Sequence, residues 1–303
     1  MRIIYAGTPE VAVPTLETLH AQHDVAAVLT REDAPVGRKR TLTASPVAQA
    51  AEKLGLRTIK ANRITPEISN ELITLEADLG VVVAYGNLLR DPLLTAPTHG
   101  WINLHFSHLP AWRGAAPVQR ALMNGETELG MNVFQLVEEL DAGDVLAAAT
   151  HTVEFGTTAG AALTEMAVAG AGLIAETLED FDRITPKPQS GAASYAHKLT
   201  RGDGALDPSW DARTLIARWA GATPAPGGFF HELKVHDMKI AASVPELAAE
   251  PGSCELVGNR VFLATGSTPV ELLRVQPVGK AAMDAAAWLR GRGGRVRVEA
   301  GRV

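Results

Sequence analysis

The chain has 303 residues, 46% hydrophobic and 20% charged, with a mean hydropathy near zero, a composition that fits folded globular domains and argues against a disordered or fibrous chain. Its net charge of −6 is uneven: residues 1–205 hold 16 Lys and Arg against 24 Asp and Glu, whereas residues 206–303 hold 12 against 10. An acidic first part argues against a general nucleic-acid binder, which tends to be basic throughout.

In chain order, residues 2–6 read as a buried strand, followed by Gly7-Thr8-Pro9 and a helix to about Ala21. This strand, glycine turn and helix open a Rossmann-like unit, yet one glycine stands where a dinucleotide fingerprint needs three. The same apolar run, cut by Gly7, is too short for a signal sequence or a membrane span, so no membrane is expected and the cytoplasm is the expected location. A second strand covers residues 24–30, and residues 31–45 show neither helical nor strand period. Within them Arg38, Lys39 and Arg40 form the densest positive cluster of the acidic part. Charge alone leaves two readings open, a solvated loop or an arm that meets phosphates.

Ser45-Pro46 and Thr65-Pro66 each place a capping hydroxyl before a proline suited to the first helical position. Between them lies a short strand near residues 57–61, and after them an apolar strand at 79–84 leads into Tyr85-Gly86-Asn87-Leu88. Strands alternating with helices predict a mostly parallel sheet covered by helices on both faces. Tyr85 and Gly86, just past the strand, form a turn or one wall of a cleft.

The stretch from Gly100 to Pro117, GWINLHFSHLPAWRGAAP, carries the chemistry. Asn103 and His105 are two residues apart on a strand, which turns both to one face. A strand candidate at residues 131–137 leads to Leu140-Asp141-Ala142-Gly143-Asp144, a strand follows at 145–153 and a long helix at 157–182. Pro186, Pro188, Ser190 and Gly191 mark a connector. Asp211 caps a helix through Trp219, residues 227–277 break into short alternating segments typical of a small antiparallel sheet or barrel, and a last helix ends at Leu289. The expected domains are 1–187 (catalytic), 188–205 (linker) and 206–303 (C-terminal barrel). The single cysteine, Cys254, has no partner for a disulfide and reads as a core filler.

Asn103, His105 and Asp141 together suit acyl or formyl transfer to an amine. An asparagine N–H can hold an oxyanion, a histidine can move a proton, and a carboxylate beside it can fix the imidazole tautomer and favour its charged form. Ser107 lacks the Gly-x-Ser-x-Gly context of a nucleophile, so direct attack by the amine is preferred. Each residue also has a plainer reading, the histidine as a bonded core residue and the asparagine as a turn former. No ligand cluster suggests a metal.

Seven motifs together resemble the methionyl-tRNA formyltransferase family: Ile3-Ile4-Tyr5-Ala6-Gly7-Thr8-Pro9, Pro35-Val36-Gly37-Arg38, Ala84-Tyr85-Gly86, Ile102-Asn103-Leu104-His105 with Ser107 and Leu109-Pro110, Trp112-Arg113-Gly114-Ala115-Ala116-Pro117, Leu140-Asp141-Ala142-Gly143-Asp144 and Tyr195-Ala196-His197-Lys198. The resemblance implies a catalytic trio at Asn103, His105 and Asp141 and folate contacts at Ser107, His108, Leu109, Pro110, Tyr85, Gly86 and Leu88. It implies tRNA contacts at Arg38, Lys39 and Arg40, 10-formyltetrahydrofolate as formyl donor, methionyl initiator tRNA as acceptor, no metal and a monomer. It also implies a C-terminal β-barrel of oligonucleotide-binding type that holds the tRNA. His108 stands where the family has leucine, Glu139 where it has glycine, and the basic loop is one residue short of the common form. The rival is a folate-dependent formyltransferase acting on a small amine, an amino sugar or nucleotide.

Overall fold

The structure, a computed structural model, describes residues 1–37, 39–241 and 250–302. They form two compact units, one of Met1–Pro117, Leu129–His151 and Leu163–Ala196, the other of Val118–Glu128, Thr152–Ala162 and His197–Val303. The predicted Arg38 contact falls outside the described residues.

The first unit opens with β1 (Arg2–Gly7), α1 (Val13–Gln22) and β2 (Asp24–Thr30). The stretch expected to lack regular structure instead forms a small antiparallel hairpin, β3 (Ala34–Val36) and β4 (Thr41–Thr43), with Lys39 and Arg40 exposed on its turn. Only three residues pair on each side, too few for a period-2 pattern to show. Both predicted caps form: Ser45 accepts from the Ala48 N–H at 3.0 Å ahead of α2 (Pro46–Lys53), and Thr65 accepts from the Ile68 N–H at 3.4 Å. Then come β5 (Thr58–Lys60), α3 (Pro66–Ile73), β6 (Leu79–Val83), β7 (Trp101–His105), β8 (Arg113–Gly114), α4 (Pro117–Met123), which after Pro117 belongs to the second unit, β9 (Glu128–Gln135), β10 (Val145–Thr152), α5 (Ala159–Glu179), whose first turn also belongs to the second unit, and β11 (Tyr195–Ala196).

The main sheet runs β10-β9-β7-β6-β1-β2-β5, parallel from β5 through β7 and antiparallel between β7 and β9. This is the mostly parallel, Rossmann-like sheet expected. Alternation divides its core: Ile4, Ala6, Val82 and Trp101 pack with Leu72 of α3, while Tyr5, pointing the other way, bonds the Ala12 carbonyl just before α1. Gly80 lies under the Trp101 indole, where a Cβ would overlap the ring, so a glycine is required on this strand.

At 21 residues α5 is long and apolar enough by composition to cross a bilayer, which corrects the expectation that nothing approaches such a span. A core helix passes the same test, and here Met166, Ala167, Ile174 and Leu178 are buried. Gly170 faces Leu104 of β7, where a Cβ would stand 2.6 Å from Cδ2.

The second unit contains α6 (Ala212–Ala222), β12 (Phe229–Phe230), β13 (Leu233–Ile240), β14 (Ser253–Val257), β15 (Arg260–Leu263), β16 (Val270–Pro277), β17 (Met283–Asp284), α7 (Ala285–Arg290) and β18 (Arg295–Arg297). Its sheet, in order β12-β13-β16-β15-β14-β18 with β17 on β16, is antiparallel. Leu215, Trp219, Val235, Leu272 and Leu289 form its core. Cys254 is completely buried there, and burial pushes its thiol up to about 12, as suits a filler.

One charge sits in this sheet by design of its partners. Glu271 on β16 is 5% exposed and accepts from Arg260 Nε at 3.0 Å and its terminal nitrogen at 2.8 Å. The Arg260 hydrogen bonds hold the carboxyl below its ordinary value of 4.5, against the opposing effect of burial. A carboxyl with a depressed folded value contributes stability above its unfolded value and loses it as pH falls through the folded one. Glu271→Gln is therefore expected to destabilise at pH 7 and to converge on the wild type only as pH falls from the unfolded value of 4.5 through the lower folded one, read from urea midpoints followed by circular dichroism across pH; a constant gap would remove the ion pair as the cause.

Candidate active site

The site is built at the carboxyl end of β7 and on the two loops that meet it. Val82 and Phe134 flank Asn103 in register, and Asn132 faces His105. Alternation places Trp101, Asn103 and His105 on one face, Trp101 fully buried and Asn103 half-buried. The Asn103 Oδ1 atom is buried and has no hydrogen-bond partner. Such an atom costs free energy unless a ligand satisfies it.

His105 is 6% exposed, edge-on to Phe134 at 6.3 Å between ring centres. Its Nε2 lies 3.0 Å from the Trp112 carbonyl oxygen. A carbonyl only accepts, so Nε2 carries the hydrogen. Nδ1 then faces Asp141, whose Oδ2 is 3.9 Å away, inside ion-pair range for a protonated ring and beyond a hydrogen bond. The tautomer is thus set by the Trp112 carbonyl, not by the carboxylate as the sequence suggested. Asp141 itself is anchored: Oδ2 accepts from the Gly114 N–H at 2.7 Å.

Three non-glycine residues near this chemistry adopt left-handed backbone: Ala84 (φ 49°), Trp112 (φ 59°) and Asp141 (φ 47°). Each such residue costs roughly 1–2 kcal/mol and persists where the surroundings over-determine it. Around Trp112 they do. Its N–H donates to Ser194 Oγ at 2.9 Å, the Arg113 N–H to the Ser194 carbonyl at 2.8 Å, and β8 pairs with β11.

The remaining predicted contacts divide. Ser107 is 2% exposed, its hydroxyl donating to the Ala111 carbonyl at 2.6 Å and its own carbonyl accepting from Asn132 at 2.6 Å. His108 is exposed, Nε2 3.4 Å from Thr150 Oγ1, with Leu109 half-buried and Pro110 buried beyond it. Tyr85 is 1% exposed; its hydroxyl donates to the Ala61 carbonyl at 3.0 Å and burial pushes its phenol up. Only its main chain is left to meet a ligand, and its carbonyl already accepts from Thr8 Oγ1 at 2.9 Å. Gly86 and Leu88 are exposed, Leu88 at 59%. Lys39 and Arg40 are exposed on the β3–β4 turn.

Sequence reading missed the support beneath Asp141. Arg113 is buried, its guanidinium bonded to Gln189 Oε1 at 2.7 and 3.2 Å and to Glu139 at 3.1 Å. Gln189 in turn donates to the carbonyls of Asp141 and Gly143. No local pattern announces a contact across 76 residues.

Comparison with known proteins gives the context. A family model described as formyl transferase matches residues 1–177, and another described as formyl transferase, C-terminal domain, matches 198–293. The methionyl-tRNA formyltransferase of Leifsonia xyli subsp. xyli is 49% identical over 301 residues, 97% of this chain and 98% of its own. That of Clavibacter michiganensis subsp. michiganensis is 46% identical over 299 residues, 96% and 97%. Among solved structures, the sugar 3N-formyl transferase WlaRD, crystallised with dTDP and 5-N-formyl-THF, superposes with a TM-score of 0.70 at 12% identity, over 93% of this chain and 99% of that one. At that identity the likeness speaks for the fold alone.

Proposed function

The chain belongs to the methionyl-tRNA formyltransferase family, and from that premise we propose that Asn103, His105 and Asp141 transfer the formyl group of 10-formyltetrahydrofolate to the α-amine of methionyl initiator tRNA. The relatives' shared name carries the choice of acceptor, because it extends over both halves of the chain. A small-amine acceptor is not favoured, since the proteins of that kind resemble this chain only in fold.

The reaction makes one C–N bond and breaks another. The amine nitrogen bonds to the formyl carbon, the bond from that carbon to the folate nitrogen breaks, one proton leaves the amine and one reaches the departing nitrogen. Asn103 contributes an amide N–H to the oxygen that becomes negative in between. Its buried, unpartnered Oδ1 fits the same role from the other side, because a donor on the folate satisfies it. His105, held through Nε2 by Trp112, turns Nδ1 toward Asp141 and stabilises the oxyanion as an imidazolium. Asp141 compensates that charge. Ser107, His108, Leu109 and Pro110, with the main chain at Tyr85 and Gly86 and the exposed Leu88, line the folate side.

The tRNA is read elsewhere. Arg38, together with Lys39 and Arg40 of the hairpin turn, contacts its phosphates, and the antiparallel sheet of the second unit acts as a barrel of oligonucleotide-binding type. That assignment rests on its strand order and the basic balance of residues 206–303 and on the way such folds bind. A monomer in the cytoplasm completes the reading, where aminoacylated tRNA is available.

Transfer of labelled formyl from 10-formyltetrahydrofolate to methionyl initiator tRNA, run beside methionyl elongator tRNA, tests the proposal. Selective, rapid labelling of the initiator is expected, with kcat/KM falling as salt rises because phosphate contacts release counterions. Labelling of neither tRNA would overturn the assignment.

A further inference from the structure

Composition marks residues 186–191 as a connector, yet the structure returns this segment to the loop that carries Asp141. Lys187 and Val145 exchange both main-chain hydrogen bonds, at 2.8 and 2.9 Å. Two residues on, Gln189 Nε2 donates to the Asp141 carbonyl at 2.8 Å and the Gly143 carbonyl at 2.9 Å. Its Oε1 accepts from Arg113 Nε at 3.2 Å and a terminal guanidinium nitrogen at 2.7 Å. Arginine has only donors, so the oxygen of the amide must face Arg113 and the NH2 group must face the loop. The amide orientation is therefore fixed by chemistry.

The loop needs such a clamp. Asp141 sits at φ 47°, a left-handed conformation that aspartate adopts more readily than most residues but that still has to be held in one place for its carboxylate to be aimed. Gly143 packs so closely on the Gln135 carbonyl that a Cβ there would collide with it, which fixes one side of the turn. Gln189 brackets the other side by holding carbonyls on both flanks of Ala142. With the loop so held, the Asp141 carboxylate reaches the Gly114 N–H at 2.7 Å and stands 3.9 Å from His105 Nδ1.

We infer that Gln189 is a positioning residue for formyl transfer, acting through Asp141, and that Arg113 is buried in order to orient the Gln189 amide. The inference rests on the reading of Asp141 as part of the catalytic trio. Glu139, 72% exposed at its side chain, neutralises the guanidinium from the solvent side and leaves Arg113 engaged within the protein, not offered to a substrate anion.

Two variants and two readouts test this. Gln189→Ala removes the clamp; Gln189→Glu keeps the size and the Arg113 contact but sets a carboxylate oxygen against the two carbonyls. Both are expected to lower kcat roughly 10- to 100-fold, the scale of a small misplacement of a reacting group, with KM for tRNA and folate unchanged within about twofold. Combined with Asp141→Asn, Gln189→Ala is expected to add no further loss, the signature of two residues acting as a unit. Amide hydrogen exchange gives a readout independent of turnover. Protection of the Gly114 N–H, whose acceptor is the Asp141 carboxylate, is expected to fall in Gln189→Ala, while the Ala115 and Ala116 N–H groups, bonded to Ala196, keep theirs. Unchanged Gly114 protection, or multiplicative losses in the double variant, would overturn the inference. Should the wild type formylate neither tRNA, the functional reading falls while Gly114 exchange still decides whether Gln189 positions Asp141.

Discussion

Asn103→Ala is expected to lower kcat by about 10²- to 10³-fold, the loss that follows removal of one oxyanion donor, while its thermal midpoint stays equal to or above that of the wild type. The two halves of this expectation come from one atom. Asn103 Oδ1 is buried without a partner, and an unsatisfied polar atom of that kind costs about 1–3 kcal/mol. Alanine removes the cost and opens only a small space on a half-buried position of β7. Activity and stability therefore move in opposite directions. Steady-state formylation and a thermal scan on the same preparations distinguish the outcomes. A kcat close to wild type would take Asn103 out of the chemistry, and a fall in both quantities together would make it a structural residue.

That opposition recurs across the site. Ala84, Trp112 and Asp141 each hold left-handed backbone, and the supports that keep them there come from distant segments: Ser194 for Trp112, Gly114 and Gln189 for Asp141. The second unit shows no comparable cluster among the described residues, only Glu232. Arg40 and Glu76 of the first unit are left-handed as well, so what sets Trp112 and Asp141 apart is that bonds from distant segments hold them, as expected when geometry is fixed by the surroundings and not by local preference.

What could be read from the sequence was local. Ser45, Thr65 and Asp211 announce their helices because the cap bond reaches only three residues forward. Asn103 and His105 declare a shared face because strand alternation has a fixed period of two. The order of strands and helices gives the parallel sheet for the same reason. Three things stayed hidden. The hairpin at 34–43 is too short for its pattern to register. The carbonyl that fixes the His105 tautomer belongs to Trp112, and a main-chain oxygen has no residue type to recognise. Gln189 meets Asp141 and Gly143 across 48 and 46 residues, a pairing set by the path of the chain alone.

Trp101→Ala is expected to cost about 3–5 kcal/mol, the range for truncating a fully buried tryptophan, and this is a large part of the roughly 5–15 kcal/mol that holds a typical domain folded. The indole has no solvent exposure, packs against Gly80 and the cluster of Ile4, Val82 and Leu72, and donates its N–H to the Leu93 carbonyl at 2.8 Å. Alanine leaves a cavity above a glycine strand that has no side chain to fill it, and strands the Leu93 carbonyl. Trp101→Phe keeps much of the ring and loses only the N–H, so its cost is expected to be less than half as large. Urea unfolding followed by far-ultraviolet circular dichroism measures both; a cost below about 1 kcal/mol for the alanine variant would mean that the core collapses into the gap. Trp101 and Asn103 lie on the same face of one strand, two residues apart. The contrast between the two alanine variants therefore divides one face of β7 along its length, Trp101 anchoring the core and Asn103 and His105 offering the polar groups of the candidate site.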